Sequence, residues 1–276
     1  ICLYESLFDR QRGYQTVHAG HYQCDQELGL YDIHCHIVPG VDDGAVNLEE
    51  AVKMVEAQYK QGIRTIIATP HFRKGMFEPS ASEVKKQFQI LRKTVWEINK
   101  DMRLYLGSEL YASENMISQI KDKRAMPMAG SNYVLTELYE AITASQVRAY
   151  LGILISKGYR PVIAHAERYG CMRNDINFIE DMIEMGAYIQ LNADSVIGKE
   201  GFALKRFCKK LLKSGNVHFV GSDCHGIKRR PSRIGEAYVY ICRKFGQEYA
   251  DEIFIYNPRR ILEDARQKRA GTKKIV

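Results

Sequence analysis

Hydrophobic and polar positions follow two rhythms along the chain from Tyr31 onward. Short β-rich runs cover Tyr31–His34, Arg64–Thr69, Arg103–Gly107, Tyr133–Glu137, Pro161–His165, Ala187–Asn192 and His218–Ser222. Between them lie amphipathic stretches with helical spacing, which predict helices over Leu48–Gln61, Ser82–Lys100, Ser113–Lys121, Ala144–Lys157, Asn174–Met185, Phe202–Ser214 and Pro231–Phe245. A last helical pair, Gln247–Ile255 and Pro258–Gln267, closes the pattern. Gly62, Gly158, Gly186 and Gly215 fall where a helix gives way to a strand, the place glycine favours as a helix terminator. Seven strand–helix units in succession imply a parallel sheet, because each helix is a crossover between parallel strands. No linker divides the run, so one α/β domain is expected over residues 29–270. The first strand–helix turn lacks G-x-G-x-x-G, so a closed or distorted barrel fits better than a dinucleotide-binding sheet.

The two ends differ from this pattern. Residues 1–28 are polar and aperiodic and are expected to be a mobile extension or a start assigned too far upstream, with His18 and His21 as exposed tail residues. Residues 271–276 form a basic tail, part of a net charge of +7 that gathers near Arg259, Arg260, Arg266, Lys268, Arg269, Lys273 and Lys274 and reads as a solvated end.

Composition narrows the class further. With 276 residues, 45% of them hydrophobic and 26% charged, disordered, collagenous and coiled-coil chains are excluded. No apolar run approaches the roughly 20 residues of a membrane span, and no signal pattern opens the chain. The seven cysteines include no C-x-x-C pair, which argues against a disulfide framework or a zinc ribbon and suits a reducing cytoplasm.

Candidate chemistry gathers at the strand ends. The first run ends in His34-Cys35-His36, the second in Thr69-Pro70-His71, the third in Gly107-Ser108-Glu109; the fourth carries Glu137, the fifth ends in His165, and the seventh in Ser222-Asp223-Cys224-His225. In a parallel barrel these ends converge on one face, where barrel active sites are built. A lone histidine at a strand end is usually structural, and H-x-H gains only from alternate residues pointing to one side. Many ionisable groups delivered to one rim are costly to bury unless something neutralises them, and a cluster of metal ions does so. A mixed imidazole and carboxylate shell suits Mn, Fe or Zn. Arg168, Arg229 and Arg230 lie just beyond these ends, where a guanidinium fork can meet phosphate oxygens; the bland alternative is a surface ion pair.

One motif points elsewhere. Cys224 through Arg230 matches C-x5-R, the nucleophile loop of cysteine-dependent tyrosine phosphatases, which needs a thiolate at a helix N-terminus. Here Asp223 and His225 are delivered to the rim, so Cys224 between them is expected to point away. A two-position pattern is also easily met by chance.

The set Asp32–Gly44 (DIHCHIVPGVDDG), Thr69–Phe77 (TPHFRKGMF), Gly107–Glu109 (GSE), Pro161–Tyr169 (PVIAHAERY) and Gly221–His225 (GSDCH) closely resembles a known family. It is that of the bacterial manganese-dependent tyrosine-protein phosphatases of the polymerase and histidinol phosphatase (PHP) superfamily, the capsule-regulating CpsB/YwqE type. The resemblance runs from about Leu30 to Asp264. It implies a distorted (β/α)7 TIM-like barrel holding three divalent ions, Mn2+ above Fe or Zn. His34, His36, Glu109 and Asp223 would hold the first; Glu109 would bridge to a second held also by Glu137 and His165; Asp43, His71 and His225 would hold the third, with Asp43 preferred to Asp42. Arg168 and Arg230 match the phosphate-contacting arginines. The implied partner is the tyrosine-rich tail of an autophosphorylating bacterial tyrosine kinase that drives capsule or exopolysaccharide synthesis, with no nucleic acid involved. The alternatives are a phosphoesterase for a small phosphate monoester, separable by comparing phosphotyrosine peptide with histidinol phosphate, and a non-catalytic phosphotyrosine-binding regulator, against which the intact ligand set argues.

Overall fold

The structure, a computed structural model, describes residues 29–273; the expectations for residues 1–28, with His18 and His21, and for the last residues of the basic tail lie outside the described residues. Nine strands follow one another: β1 (Leu30–Asp32), β2 (Ile63–Ala68), β3 (His71–Phe72), β4 (Arg103–Leu106), β5 (Glu109–Tyr111), β6 (Tyr133–Glu137), β7 (Arg160–Ile163), β8 (Tyr188–Asn192) and β9 (Phe219–Gly221). They pair in the orders β1-β2-β4 and β3-β5-β6-β7-β8-β9, and every pairing is parallel. The count exceeds the seven expected runs because two of them, after an interruption, resume pairing beyond their expected ends. Pro70, which has no N–H to give a ladder, separates β2 from β3, and Gly107-Ser108 separates β4 from β5. Backbone bonds span the breaks, from Gly107 N to the Ala68 carbonyl (2.8 Å) and from Glu109 N to the Pro70 carbonyl (3.0 Å).

The sheet curls. Cys35 and Cys224 form a parallel bridge just past β1 and β9. Asp223 N donates to the His34 carbonyl (2.8 Å) and His36 N to the Cys224 carbonyl (3.0 Å), so the last strand's end is tied to the first's. Buried Asp32 is the latch beneath: its carboxylate accepts from Ser222 N (3.0 Å) and from the Ser222 hydroxyl.

Helices fill the connections much as the periodicity requires. The helix Leu48–Tyr59 is capped by Asn47, Ala81–Ile98 by Ser80, and Ala144–Ser156 by a Thr143/Gln146 capping box. The expected helix Asn174–Met185 is Ile176–Glu184, started by the Asp175 side chain, which accepts from Asn177 N, and an unexpected short helix, Gly170–Asn174, precedes it. Near the C-terminus Gln247–Asp251 runs through a π-helical turn into Asn257–Lys273, past the boundary expected at residue 270. Gly62, Gly158, Gly186 and Gly215 all have positive φ, as helix terminators do.

Two apolar clusters hold the layers. The larger lies between strands and helices, with Ile66, Ile163 and Val220 facing Met54, Leu151, Leu211 and Ile241. The smaller joins Tyr31, Ile33, Ile67, Leu135, Val162, Ala164 and Phe219 to Ile261 and Leu262 of the C-terminal helix.

Candidate metal centre

His71, Glu109 and Glu137 lie within β3, β5 and β6, but several rim residues sit just past the strands. β1 ends at Asp32 and β7 at Ile163, so His34, His36 and His165 belong to the irregular segments that follow. This departs from the expected strand ends, and its reason is geometric. Val162 and Ala164 share the inner cluster while Ile163 faces the outer one, so strict alternation would turn His165 outward. A left-handed backbone at His165 (φ 35°, ψ 55°) re-aims it over the rim. Asp223 (φ 50°) and Arg230 (φ 53°) are also left-handed, the kind of strain that collects at functional sites. Two glycines make room. A Cβ on Gly44 would stand 2.1 Å from the His36 carbonyl oxygen, and one on Gly221 2.7 Å from His34 Cβ.

Glu109 occupies the centre. Its Oε2 lies 3.2 Å from His34 Nε2, 3.4 Å from His36 Nε2 and 3.0 Å from His71 Nδ1, and its Oε1 lies 3.0 Å from His165 Nε2. Asp223 Oδ1 stands 3.5 and 3.4 Å from the Nε2 atoms of His34 and His36. Asp43 Oδ1 faces His71 Nε2 (3.6 Å) and His225 Nε2 (3.4 Å), and Glu137 Oε2 lies 3.7 Å from His71 Nδ1. Three groups have ligand atoms close enough to share an ion: His34, His36 and Asp223; His71, Glu109 and Glu137; and His36, Asp43, His71 and His225. Eight of the nine expected ligands fall in these groups, His36 and His71 in two each. His165 falls in none and joins the cluster through Glu109 Oε1, while His71 stands where His165 was expected, beside Glu109 and Glu137.

These residues fit a cation. Glu109 Oε2 is buried among three imidazole nitrogens yet makes no well-directed hydrogen bond to any of them, and His71 Nδ1, 3.0 Å away, makes none either. Such orphaned atoms are costly in a packed interior unless a charge sits between them. The Nε2 atoms of His34 and His36 face each other at 3.3 Å, a contact that asks for a proton or a metal ion between two lone pairs. The imidazoles are turned inward by a second layer. His34 Nδ1 donates to Gln190 Oε1 (3.0 Å), His36 Nδ1 to Asp42 Oδ2 (2.7 Å) and His225 Nδ1 to the Asp223 carbonyl (2.9 Å). His165 Nδ1 meets the Tyr169 hydroxyl at 3.0 Å. Outer-layer bonds of this kind fix the tautomer and leave Nε2 free to bind metal.

Charge is unevenly shared across the cluster. Burial opposes protonation of His34, but the carboxylates of Glu109 and Asp223 outweigh it and push the imidazole up to about 9. Burial, and then the charge on Glu109, raises the Glu137 carboxyl to about 7. Burial with neighbouring His36 brings His225 down to about 3. Asp42 is settled by its partners: burial alone would raise it, but His36 and the amides of His71 and Gly44 hold it at about 2.

Sequence reasoning missed the second layer. Gln190 and Asn192 end β8, the one expected strand to which no rim residue was assigned. Gln190 Nε2 donates to Asn192 Oδ1 (3.0 Å) and Asn192 Nδ2 to Asp223 Oδ2 (2.8 Å). Two amides closing an otherwise apolar run were the available signal. Arg168 and Arg230 both reach the rim: Arg168 donates to Asp223 Oδ2 (3.1 Å) and to Glu200 (2.7 Å), while Arg230 donates to Asp223 Oδ2 (2.5 Å) and lies 3.0 Å from His225 Nε2. Cys224 is 1% exposed and belongs to the outer cluster, where Gln58 Nε2 donates to its sulfur (3.4 Å). It faces away from the rim.

The family model described as capsular polysaccharide synthesis, CpsB/CapC, matches residues 30–263. Tyrosine-protein phosphatase CpsB of Streptococcus agalactiae serotype V is 35% identical over 240 residues, 85% of this chain and 99% of that protein. Tyrosine-protein phosphatase YwqE of Bacillus subtilis is 32% identical over 222 residues, 79% of this chain and 86% of that protein. A crystal structure from work on YwqE of Bacillus subtilis and CpsB of Streptococcus pneumoniae, described as unique metal-dependent tyrosine phosphatases, superposes with a TM-score of 0.75. It is 30% identical, and the match covers 86% of this chain and 92% of the other.

Proposed function

The chain belongs to the CpsB/CapC family of capsular polysaccharide synthesis, and on that footing we propose that its rim cluster is the centre of a metal-dependent protein-tyrosine phosphatase. The observation that carries this is the convergence of four imidazoles on one buried carboxylate, Glu109, whose Oε2 makes no well-directed hydrogen bond. In this reading His34, His36, Glu109 and Asp223 would hold one ion, Glu109 with Glu137 and His165 a second, and Asp43, His71 and His225 a third, with Mn2+ preferred to Fe or Zn. The scaffold is a distorted (β/α)7 barrel, with β2/β3 and β4/β5 each counting as one interrupted strand.

Divalent ions at such a site lower the pKa of a water and offset charge on a phosphoryl group. The chain's own residues do the rest. Gln190, Asp42 and Tyr169 hold the histidines in their inward tautomers. Arg168 and Arg230, which share the outer oxygen of Asp223, turn their forks to the non-bridging oxygens of the substrate, where charge builds during transfer. No side-chain acid is needed to protonate a departing phenolate, a tolerable leaving group. Asp42 orients His36 and is not a ligand, since its oxygens already accept from His36 Nδ1, Gly44 N and His71 N.

The substrate is the phosphorylated tyrosine-rich tail of a bacterial tyrosine kinase in capsule or exopolysaccharide synthesis, an anionic partner for a chain of net charge +7. The setting is the cytoplasm: Cys35, Cys171, Cys208, Cys224 and Cys242 are free thiols, and no helix among the described residues is long and apolar enough to cross a membrane. The test is metal analysis of protein purified without chelator, with turnover of phosphotyrosine peptide and of histidinol phosphate before and after EDTA. Bound metal and an EDTA-sensitive preference for the peptide are expected. Metal-independent turnover, or a preference for histidinol phosphate, overturns the reading.

A further inference from the structure

The segment Arg73–Phe77 follows His71 directly and holds none of the groups assigned to metal or phosphate. Arg73 N donates to the Phe77 carbonyl (2.8 Å) and Phe77 N to the Arg73 carbonyl (2.9 Å), closing a tight hairpin with Gly75 near its tip at φ 78°. Both legs are tied. The Arg73 guanidinium carbon lies 4.1 Å above the centre of the Tyr111 ring on β5. The Phe77 ring lies parallel to the His71 imidazole, 12° between planes and 5.1 Å between centres.

The hairpin stands where the cluster opens. Side chains of His34, His36, Glu109, His165, Asp223 and His225 are 5% exposed or less, whereas Asp43 is 40%, Glu137 19% and His71 13% exposed. The opening thus lies beside Asp43, Glu137 and His71, and Phe77 stacks on the last of these. In an aryl phosphate a single oxygen joins phosphorus to the ring, so a phosphate settled at the cluster leaves its ring at this mouth. Met76, 60% exposed, stands beside Phe77 on the same hairpin. Met76 and the half-buried Phe77 together set apolar surface on a tied turn beside that mouth.

We propose that Met76 and Phe77 form the wall that receives the phenyl ring of the substrate phosphotyrosine, and so favour it over serine and threonine phosphates, whose short aliphatic arms bring no ring to this wall. The proposal rests on the phosphatase reading above. An aromatic contact of this kind changes affinity by up to about tenfold, and a methionine–aromatic contact by a few-fold.

The test uses the Mn2+-loaded full chain and the variants Phe77→Ala, Phe77→Tyr and Met76→Ala. Two probes are compared: a peptide carrying the non-hydrolysable phosphonate analogue of phosphotyrosine, titrated calorimetrically, and inorganic phosphate, which has no ring, as a competitive inhibitor. Expected are about tenfold weaker peptide binding for Phe77→Ala and a few-fold loss for Met76→Ala. Phosphate inhibition should stay within twofold, metal content should not change, and Phe77→Tyr should bind as the parent does. Equal losses for peptide and phosphate, or lost metal, would make Phe77 a prop for His71 and overturn the proposal; so would unchanged peptide binding in both alanine variants. Failure of the underlying phosphatase reading shows separately, in a parent that does not turn over phosphotyrosine peptide.

Discussion

Replacing Glu109 by Gln keeps the size of the side chain and removes one negative charge from the middle of the cluster. One oxygen of Glu109 faces His34, His36 and His71 at 3.2, 3.4 and 3.0 Å, and the other faces His165 at 3.0 Å. Any ion held by these nitrogens lies within a few ångströms of the carboxylate. Two unit charges 4 Å apart attract by about 4 kcal/mol at an effective dielectric of about 20, which corresponds to about three orders of magnitude in Kd. Because the two oxygens face different histidines, the loss should fall on more than one ion. Metal analysis after gel filtration should therefore show Glu109→Gln short of the parent by more than one ion per chain, with phosphotyrosine turnover abolished. Folding is guarded in the metal-free state: Glu109 and Asp223 push His34 up to about 9, so the imidazole can release its proton once Glu109 is neutral. Melting the metal-free parent and variant side by side checks this. A variant that keeps all its metal, or loses a single ion, refutes the bridging role.

Arg168→Ala and Arg230→Ala should each retain metal and fold, yet lower kcat/KM by about a hundredfold, the scale of losing one transition-state donor; steady-state kinetics within a few-fold of the parent would make both arginines surface pairs. Cys224→Ser should retain most activity, because the thiol is buried away from the rim, and a dead variant with normal metal content would restore the thiolate mechanism. Far from the site, burial holds the His218 imidazole down at about 4 against an ordinary 6.5. The unfolded chain then binds the extra proton between those values, so this contribution is complete above pH 6.5 and is lost as pH falls toward 4, about 3 kcal/mol across the window. Denaturant titrations of the metal-free protein at several pH values should show a flatter acid limb for His218→Gln, and identical limbs would contradict the assignment.

What was legible in the sequence was the alternation of strands and helices and the delivery of ionisable groups to one rim. Both follow from short-range rules: the periodicity of buried faces, and the fact that parallel strands end on a common side. The illegible part depends on local departures from those rules. Strict alternation does not place His165 over the cluster; its left-handed backbone does, and β-branched and apolar neighbours give no sign of it in the sequence. The break at Pro70 was visible as a proline, yet its effect, two strands in place of one, depends on bonds from residues some forty positions away, such as Glu109 N to the Pro70 carbonyl. Gln190 and Asn192 were hidden for another reason: amides carry no charge, and their role exists only through His34, His165 and Asp223, which approach from three other strands.

The neighbouring carboxylates Asp42 and Asp43 show why such a site needs both layers. In sequence they are equivalent, two acids before Gly44. In the fold Asp42 turns inward and spends its lone pairs on His36 Nδ1, Gly44 N and His71 N, while Asp43 stays 40% exposed opposite His71 and His225. The inner acid thereby fixes two histidines at once, the ring of one and the backbone of the other. The outer acid keeps its oxygens for whatever enters the mouth. A second inward acid would add charge to a space already holding Glu109 and Asp223, and an outward Asp42 would free His36 to rotate. The division of labour therefore follows from the tight turn that Gly44 permits against the His36 carbonyl, which sets the two side chains on opposite sides of the same loop.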